Sequence, residues 1–327
     1  MTSETHTYEK PDEKRGIPDA EPVQPSYERA VEPLIIEPSH GWNDLQLREL
    51  WRYRELLLIL TWRDVRVRYK QTILGLAWAI LNPLMTMVIF SLIFGNFAKI
   101  PSDGIPYPLF SYAALVPWTF FASATSDSSS SLLRGIGMVK KIYFPRMVLP
   151  ISQVLSSLAD FVPAFLVLIV MMLVFMASAV PSTADFLLKS VSGIAYVPQT
   201  SLHLTWNVLW LPAFLLLAGV TALGTGLWLS ALSAQFRDVN YVLPFVVRMW
   251  MWVTPVAYPS TIISGPIALL FNLNPLTHVV NGFRWALLGT DTAPGPEILL
   301  SISMVVILLV SGAFFYRRME KTFADVA

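Results

Sequence analysis

Arg63-Asp64-Val65-Arg66-Val67-Arg68-Tyr69-Lys70 runs directly into Gln71-Thr72-Ile73-Leu74-Gly75-Leu76-Ala77-Trp78-Ala79-Ile80-Leu81-Asn82-Pro83-Leu84-Met85-Thr86-Met87-Val88-Ile89-Phe90-Ser91-Leu92-Ile93-Phe94-Gly95-Asn96-Phe97-Ala98. The second part contains no Asp, Glu, Lys or Arg and exceeds the ~20 residues a helix needs to cross a bilayer. The first part is mostly basic, and positive residues beside a span resist translocation, which marks the cytoplasmic side. This junction predicts a polytopic membrane protein.

Composition agrees. The chain of 327 residues is 54% hydrophobic and 14% charged, with a mean hydropathy of +0.56; a soluble domain carries about a quarter charged residues. The net charge of +1 hides an acidic N-terminal region and a basic remainder. That surplus is read as topology and contact with membrane lipid headgroups, so nucleic acid is not expected as a partner. With no cysteine, there is no disulfide framework and no cysteine-based metal site. His6, His40, His203 and His278 are scattered, and no metal site is expected. The polar, acidic N-terminus does not resemble a cleavable signal peptide.

Four regions follow. Residues 1–41 are acidic and proline-rich, with too few apolar groups to offset the entropy of ordering, and are expected to be a disordered cytoplasmic tail. Residues 42–70 form an amphipathic interface helix. It opens at Asn43 with Gln46 as a capping box and carries Leu45, Leu50, Leu56, Leu57 and Leu60 opposite Arg48, Arg52, Arg54 and Arg63. Residues 71–317 hold six transmembrane helices, at about 72–97, 106–131, 147–178, 206–234, 239–258 and 297–316, and residues 318–327 form a cytoplasmic tail. The connecting segments holding Arg134, Lys140, Lys141, Arg146 and Arg237 are the more basic ones, which puts both termini inside. Residues 179–205 form an outer loop. Residues 259–290, broken by Pro259, Gly265, Pro266, Pro275 and Gly282, fit two short re-entrant helices joined at Asn272 to Pro275. The fold class is all-α.

Chemical motifs are mostly missing. There is no GxxxxGK[ST] nucleotide loop; Gly135-Ile136-Gly137-Met138-Val139-Lys140 has the wrong spacing. An ATPase, if one is involved, is another chain. Asp127, Asp160 and Asp238 are too dispersed for a paired-carboxylate or Ser-His-Asp arrangement, so no catalytic residue is assigned. Arg248 lies inside a span, where a charge costs about 2.5–3.5 kcal/mol on insertion scales. It contacts a polar substrate, or it pairs with Asp160 or a backbone carbonyl. Aromatics crowd the second and fifth spans; they stack against sugar rings, or anchor and pack helices. Ser123, Ser126 and Ser128 to Ser131 line a hydrated path, or let helices approach closely. Residues 132–146 form a short amphipathic helix ended by Pro145 that presses on a cytoplasmic protein, or a turn with topological lysines.

Together these segments resemble a family. Trp62-Arg63-Asp64-Val65-Arg66-Val67-Arg68-Tyr69-Lys70-Gln71-Thr72, with Leu74-Gly75 and Trp78, is similar to the beginning of span one in permease subunits of type-2 ABC exporters, most closely their polysaccharide branch. Lys140-Lys141-Ile142-Tyr143-Phe144-Pro145-Arg146 resembles the coupling segment. Phe236-Arg237-Asp238-Val239 with Thr254-Pro255-Val256 resembles the region around span five. Asn274-Pro275-Leu276 and Gly282-Phe283-Arg284-Trp285 resemble the outer gate helices. Arg317-Arg318-Met319-Glu320 and Phe323-Ala324-Asp325-Val326 resemble the tail. The likeness covers about residues 42–327.

The resemblance implies a homodimer in the bacterial cytoplasmic (inner) membrane, with two copies of a separate ABC ATPase that binds ATP and Mg. No cofactor is expected in this chain. The ATPase would push on Arg48, Arg52, Arg134, Lys140, Lys141, Tyr143, Phe144, Pro145 and Arg146. A polyprenyl-pyrophosphate-linked polysaccharide, an O-antigen-like glycan, would pass through a channel at the dimer axis. Trp78, Tyr241, Phe245, Arg248 and Trp252 are candidates for its lining. Asn274, Pro275, Phe283 and Arg284 are candidates for the outer gate. Arg66, Arg68 and Lys70 either attract the pyrophosphate or only hold topology. The alternatives are an exporter of lipids or small drugs, an integral-membrane acyl- or glycosyltransferase, and a passive channel.

Overall fold

The computed structural model describes residues 47–70, 75–139, 141, 143–178, 205–236, 238–290 and 293–320. The expected N-terminal tail, the 179–205 loop up to residue 204, Lys140, Arg237 and residues 321–327 lie outside the described residues. Among the described residues the fold is all-α, with no strand. In chain order the helices are α1 (Leu47–Arg52), α2 (Arg54–Lys70), α3 (Gly75–Phe90, continued by a π-helical stretch Ser91–Phe97), α4 (Tyr107–Val139) and α5 (Val148–Ser178). A 3₁₀ turn (Trp206–Trp210) leads into α6 (Leu211–Gln235), followed by α7 (Val239–Val253), α8 (Pro266–Leu273), α9 (Pro275–Leu288) and α10 (Ile298–Glu320).

Helical elements occupy all six expected positions. Four are long and apolar enough to cross a membrane: Ala77–Phe97, Val148–Ala177, Trp206–Gln235 and Ile298–Glu320. The other two depart from that pattern for different reasons. Helix α4 has 33 residues, about 50 Å at 1.5 Å per residue, so it overruns a ~30 Å hydrocarbon core. Its Tyr107 to Phe121 segment is almost wholly buried, so protein rather than lipid sets its composition. Helix α7 has 15 residues, about 22 Å, and hands over to a non-helical turn at Thr254.

The core is built on α4, which packs along α5 and α6, while α6 packs on α10. Close approach rests on small residues. Ser129 and Ser233 share a hydrogen bond at 2.9 Å across α4 and α6, and a Cβ on Gly226 would lie 2.3 Å from Ser128 Oγ. Ser128, Ser129 and Ser131 are therefore packing residues, while Ser123, Ser126 and Ser130 are only partly buried.

Two boundaries move. The interface helix is broken at Tyr53, which separates α1 from α2. The expected amphipathic helix over 132–146 is not separate: α4 continues to Val139, and Tyr143 to Pro145 are non-helical. Helix α5 runs through Asp160 and Pro163 without interruption.

Candidate functional site

At the arginine-rich end of the molecule, α2 lays a polar edge against α4 and α5. Arg68 donates to Asp127 Oδ2 at 2.7 Å and, through its other terminal nitrogen, to Asp160. Tyr69 donates its hydroxyl to Asp160 as well. One turn earlier, Gln153 Nε2 donates to Asp64 at 2.6 Å. Arg134 reaches back along α4 to Asp127 at 3.3 Å and across to Gln153 Oε1 at 3.4 Å. Burial alone would lower the Arg68 pKa, but the carboxylates of Asp127 and Asp160 outweigh it and raise it. Burial and the bond to Asp160 also hold the Tyr69 phenol protonated above its usual range. The result is a charge-matched clamp that fixes α2 to the core.

This clamp alters two expectations. Asp160 is occupied by Arg68 and Tyr69, so it does not pair with Arg248, which is exposed on α7 without a hydrogen-bond or ion-pair partner among the described residues. Arg68 is not a free cation beside Arg66 and Lys70. Only Arg66 and Lys70 are exposed, Arg66 lying 5.7 Å over the Trp62 ring.

The segment between α4 and α5 is held from inside. Phe144 is buried with Leu60, Met147, Leu149 and Tyr316 in a small apolar cluster, and Pro145 is buried too. Arg146 donates to the Glu320 carbonyl at 2.7 Å, and its own carbonyl accepts from Tyr316 at 3.2 Å. Lys141 and Tyr143 point outward, as do Arg48 and Arg52 on α1. Leu50 of α1 packs on the cluster that holds Phe144, so α1 and this segment adjoin, and burial, then Glu49 of α1, raises the Tyr143 pKa.

A second exposed surface runs along α3 and α7. Trp78, Tyr241, Phe245 and Trp252 are 64%, 83%, 62% and 42% exposed, and α7 buries only Leu243 and Val247. Trp252 joins the two helices, its ring 5.7 Å from Phe90 and 5.9 Å from Phe94.

At the opposite end, Asn274 and Pro275 are the N-cap and first residue of α9, where a missing N–H does no harm. Asn274 Oδ1 accepts from Leu276 N and Trp250 Nε1, each at 3.2 Å, and its amide donates to Thr254 at 3.0 Å. Phe283 is buried edge-on to Phe161. Arg284 is buried as well, at 1% exposure. It donates to the carbonyls of Pro255 and Val256 at 2.7 Å and of Phe110 at 3.2 Å, with its guanidinium 3.5 Å from the centre of the Phe110 ring. The Pro255 and Val256 carbonyls lie in the non-helical turn after α7, where Arg284 supplies their donors, and the Phe110 carbonyl in the first turn of α4 takes Arg284 as an additional donor. It is a fastening within one chain, not a side chain presented at a gate.

Residues 55–288 match the ABC-2 type transporter family. The chain is a member of that family. It is 27% identical over 283 residues to the O-antigen export system permease protein RfbA of Myxococcus xanthus, covering 85% of this chain and 98% of that one. It is 26% identical to the Klebsiella pneumoniae protein of the same name, over 83% and 95% of the two chains. It is 24% identical to the polysialic acid transport protein KpsM of Escherichia coli, over 79% and 91%.

For an ABC-2 transporter, then, the structure brings the segment of Phe144 up against α1. It separates Arg68 from Arg66 and Lys70. Sequence reasoning missed the clamp of Asp64, Tyr69, Asp127, Gln153 and Asp160. One signal was available: Asp64, Asp127 and Asp160 all fall toward the basic ends of their helices, where a carboxylate needs a cation close by. Sequence separation does not say which cation.

Proposed function

We propose that this chain is the membrane-spanning subunit of an ATP-driven exporter that moves a lipid-linked polysaccharide across the bacterial inner membrane. It works as a homodimer with two copies of a separate ATPase, both termini lying in the cytoplasm. Relatives named as an O-antigen export permease and a polysialic acid transport protein, matched over nearly their whole lengths, support the substrate class. The observation that carries the mechanism is the uncovered face of α3 and α7. It bears Trp78, Tyr241, Phe245 and Trp252 together with a charge, Arg248. A charge facing acyl chains is costly, so this side meets protein or a hydrated path. Two such faces across a dimer axis form a channel whose rings stack on the apolar C–H edges of sugars while Arg248 contacts their polar groups.

The arginine-rich end then faces the ATPase. Arg48, Arg52, Arg134, Lys140, Lys141 and Tyr143 form the docking surface, and Phe144, Pro145 and Arg146 carry its displacement into α5 and α10. The clamp at Arg68 transmits the same push to α4 through α2. Arg66 and Lys70, at the headgroup level, attract the pyrophosphate of the lipid carrier by charge-assisted contact. Asn274, Pro275, Phe283 and Arg284 hold the re-entrant pair that closes the outer mouth, Arg284 from within.

Co-expression with the ATPase tests the reading. Replacing Trp78, Tyr241 and Phe245 with Ala slows appearance of glycan at the cell surface while basal ATP hydrolysis by the complex is retained. A parallel fall in both rates would assign these rings to folding and remove them from the channel.

A further inference from the structure

A polar cavity of about 270 Å³, none of whose lining residues lies on α3 or α7, is bounded by the pair α8/α9 and the segment leading into α10. Its wall includes Phe271, Thr277, His278, Asn281 and Glu297. The size approaches the lower end of small-molecule sites, about 300–1,000 Å³, and suits one ring-sized ligand.

Thr277 is 2% exposed, yet its hydroxyl has no hydrogen-bond partner among the described residues. A buried polar group left unpaired calls for an explanation, commonly a ligand or a water. The neighbouring groups fix what kind of ligand. Ser301 has one hydroxyl proton and gives it to the Asn272 carbonyl at 2.8 Å, so its 2.8 Å contact with His278 Nδ1 requires the ring to donate. The neutral imidazole thus carries its proton on Nδ1 and keeps Nε2 as an acceptor. Asn281 donates its amide to Ser260 at 3.0 Å, which leaves its carbonyl oxygen as an acceptor. Glu297 adds a carboxylate, tucked over Gly295 where a Cβ would lie 2.3 Å from Oε2. The cavity is therefore rich in acceptors, carries negative charge, and has one aromatic ring.

We infer that this cavity binds a neutral, hydroxyl-rich ligand, a single sugar residue of the exported chain. Hydroxyl donors satisfy Nε2, Oδ1 and the carboxylate, the Thr277 hydroxyl gains its missing partner, and Phe271 covers an apolar C–H edge. A phosphate or an acidic sugar is repelled by Glu297. The inference rests on the polysaccharide reading, and it adds an off-axis holding site at the outer end that selects uncharged sugar.

Saturation-transfer NMR on the purified full-length permease with its ATPase tests it, using methyl glucoside and N-acetylneuraminic acid as probes. The neutral glycoside receives saturation and the acidic sugar does not. Thr277→Val keeps the side chain's shape and removes an unpaired hydroxyl, so the thermal midpoint holds or rises while glycoside affinity falls about 5- to 10-fold, the equivalent of one hydrogen bond. Glu297→Gln admits the acidic sugar. Equal signals from both sugars on the wild-type complex, or a glycoside signal unchanged in Thr277→Val and in Phe271→Leu, would overturn the inference. Surface glycan in a strain lacking this chain is measured separately: if it persists, the polysaccharide reading fails, whatever the NMR shows.

Discussion

Arg68 carries one positive charge and meets two carboxylates, and the three side chains are each about a quarter exposed, at 24%, 25% and 26%. In so sheltered a place the pair matters mainly through what its loss leaves behind. Arg68→Gln leaves Asp127 to the longer contact with Arg134 and Asp160 to the Tyr69 hydroxyl, and breaking a buried pair from one side costs about 3–5 kcal/mol, less here because these partners remain and water still reaches the group. The expected result is a lower thermal midpoint in detergent and less protein in the membrane. Asp160→Asn in the same chain returns part of the loss, and a double-mutant cycle measures how much. Additive losses would mean that the two side chains do not interact. Arg66→Gln with Lys70→Gln behaves oppositely: both groups are exposed, so stability holds and substrate-stimulated ATP hydrolysis falls. Unchanged hydrolysis and export would confine these two cations to topology.

Between helices, backbone distance governs stability. A Cβ on Gly312 of α10 would lie 2.7 Å from the Gly224 carbonyl of α6, and one on Gly224 would lie 3.0 Å from the Leu309 backbone nitrogen. Backbone cannot rotate aside as a side chain can. Gly312→Leu therefore separates α6 from α10, with an overpacking penalty of about 1–3 kcal/mol read as a lower thermal midpoint. Gly137, in the last turns of α4, has nothing within 4 Å of its added Cβ, and Gly137→Ala stabilises by about 0.5–1 kcal/mol through helix propensity. Equal responses at the two sites would refute the close-contact account. The same contrast shows what sequence can reveal at this scale. Long apolar runs with at most one charge placed the spans at α3, α5, α6 and α10 because lipid imposes apolarity directly. It says less about α4, whose serines and aromatics are set by neighbours far away in sequence, or about the break at Tyr53. The two short helices α8 and α9 were legible because Asn274-Pro275 is a local helix-start signal. The acid–arginine clamp was not, because its partners are up to 92 positions apart.

For the whole molecule, the exposed faces are of two kinds, and chemistry separates them. On α10 the exposed large side chains are Leu299, Leu300, Ile302, Val306, Ile307 and Val310, an apolar band that acyl chains solvate without penalty. On α7 the exposed set mixes Tyr241, Phe245 and Trp252 and the apolar Val242, Val246, Met249 and Val253 with Arg248. Lipid is a poor solvent for Arg248, so in the proposed homodimer α7 is placed at the axis and α10 toward the bilayer. The chain has no cysteine, so a single introduced thiol reports one position only. In native membranes, Tyr241→Cys or Phe245→Cys yields a covalent dimer with a short bifunctional thiol reagent, whereas Ile307→Cys stays monomeric. ATP with the partner ATPase changes the yield at α7, because opening a channel there alters the distance between the two copies, and leaves Ile307→Cys unaffected. Cross-linking at Ile307 but not at Tyr241 would put the axis on α10 and make the aromatic face of α3 and α7 a lipid-facing surface with an unexplained charge.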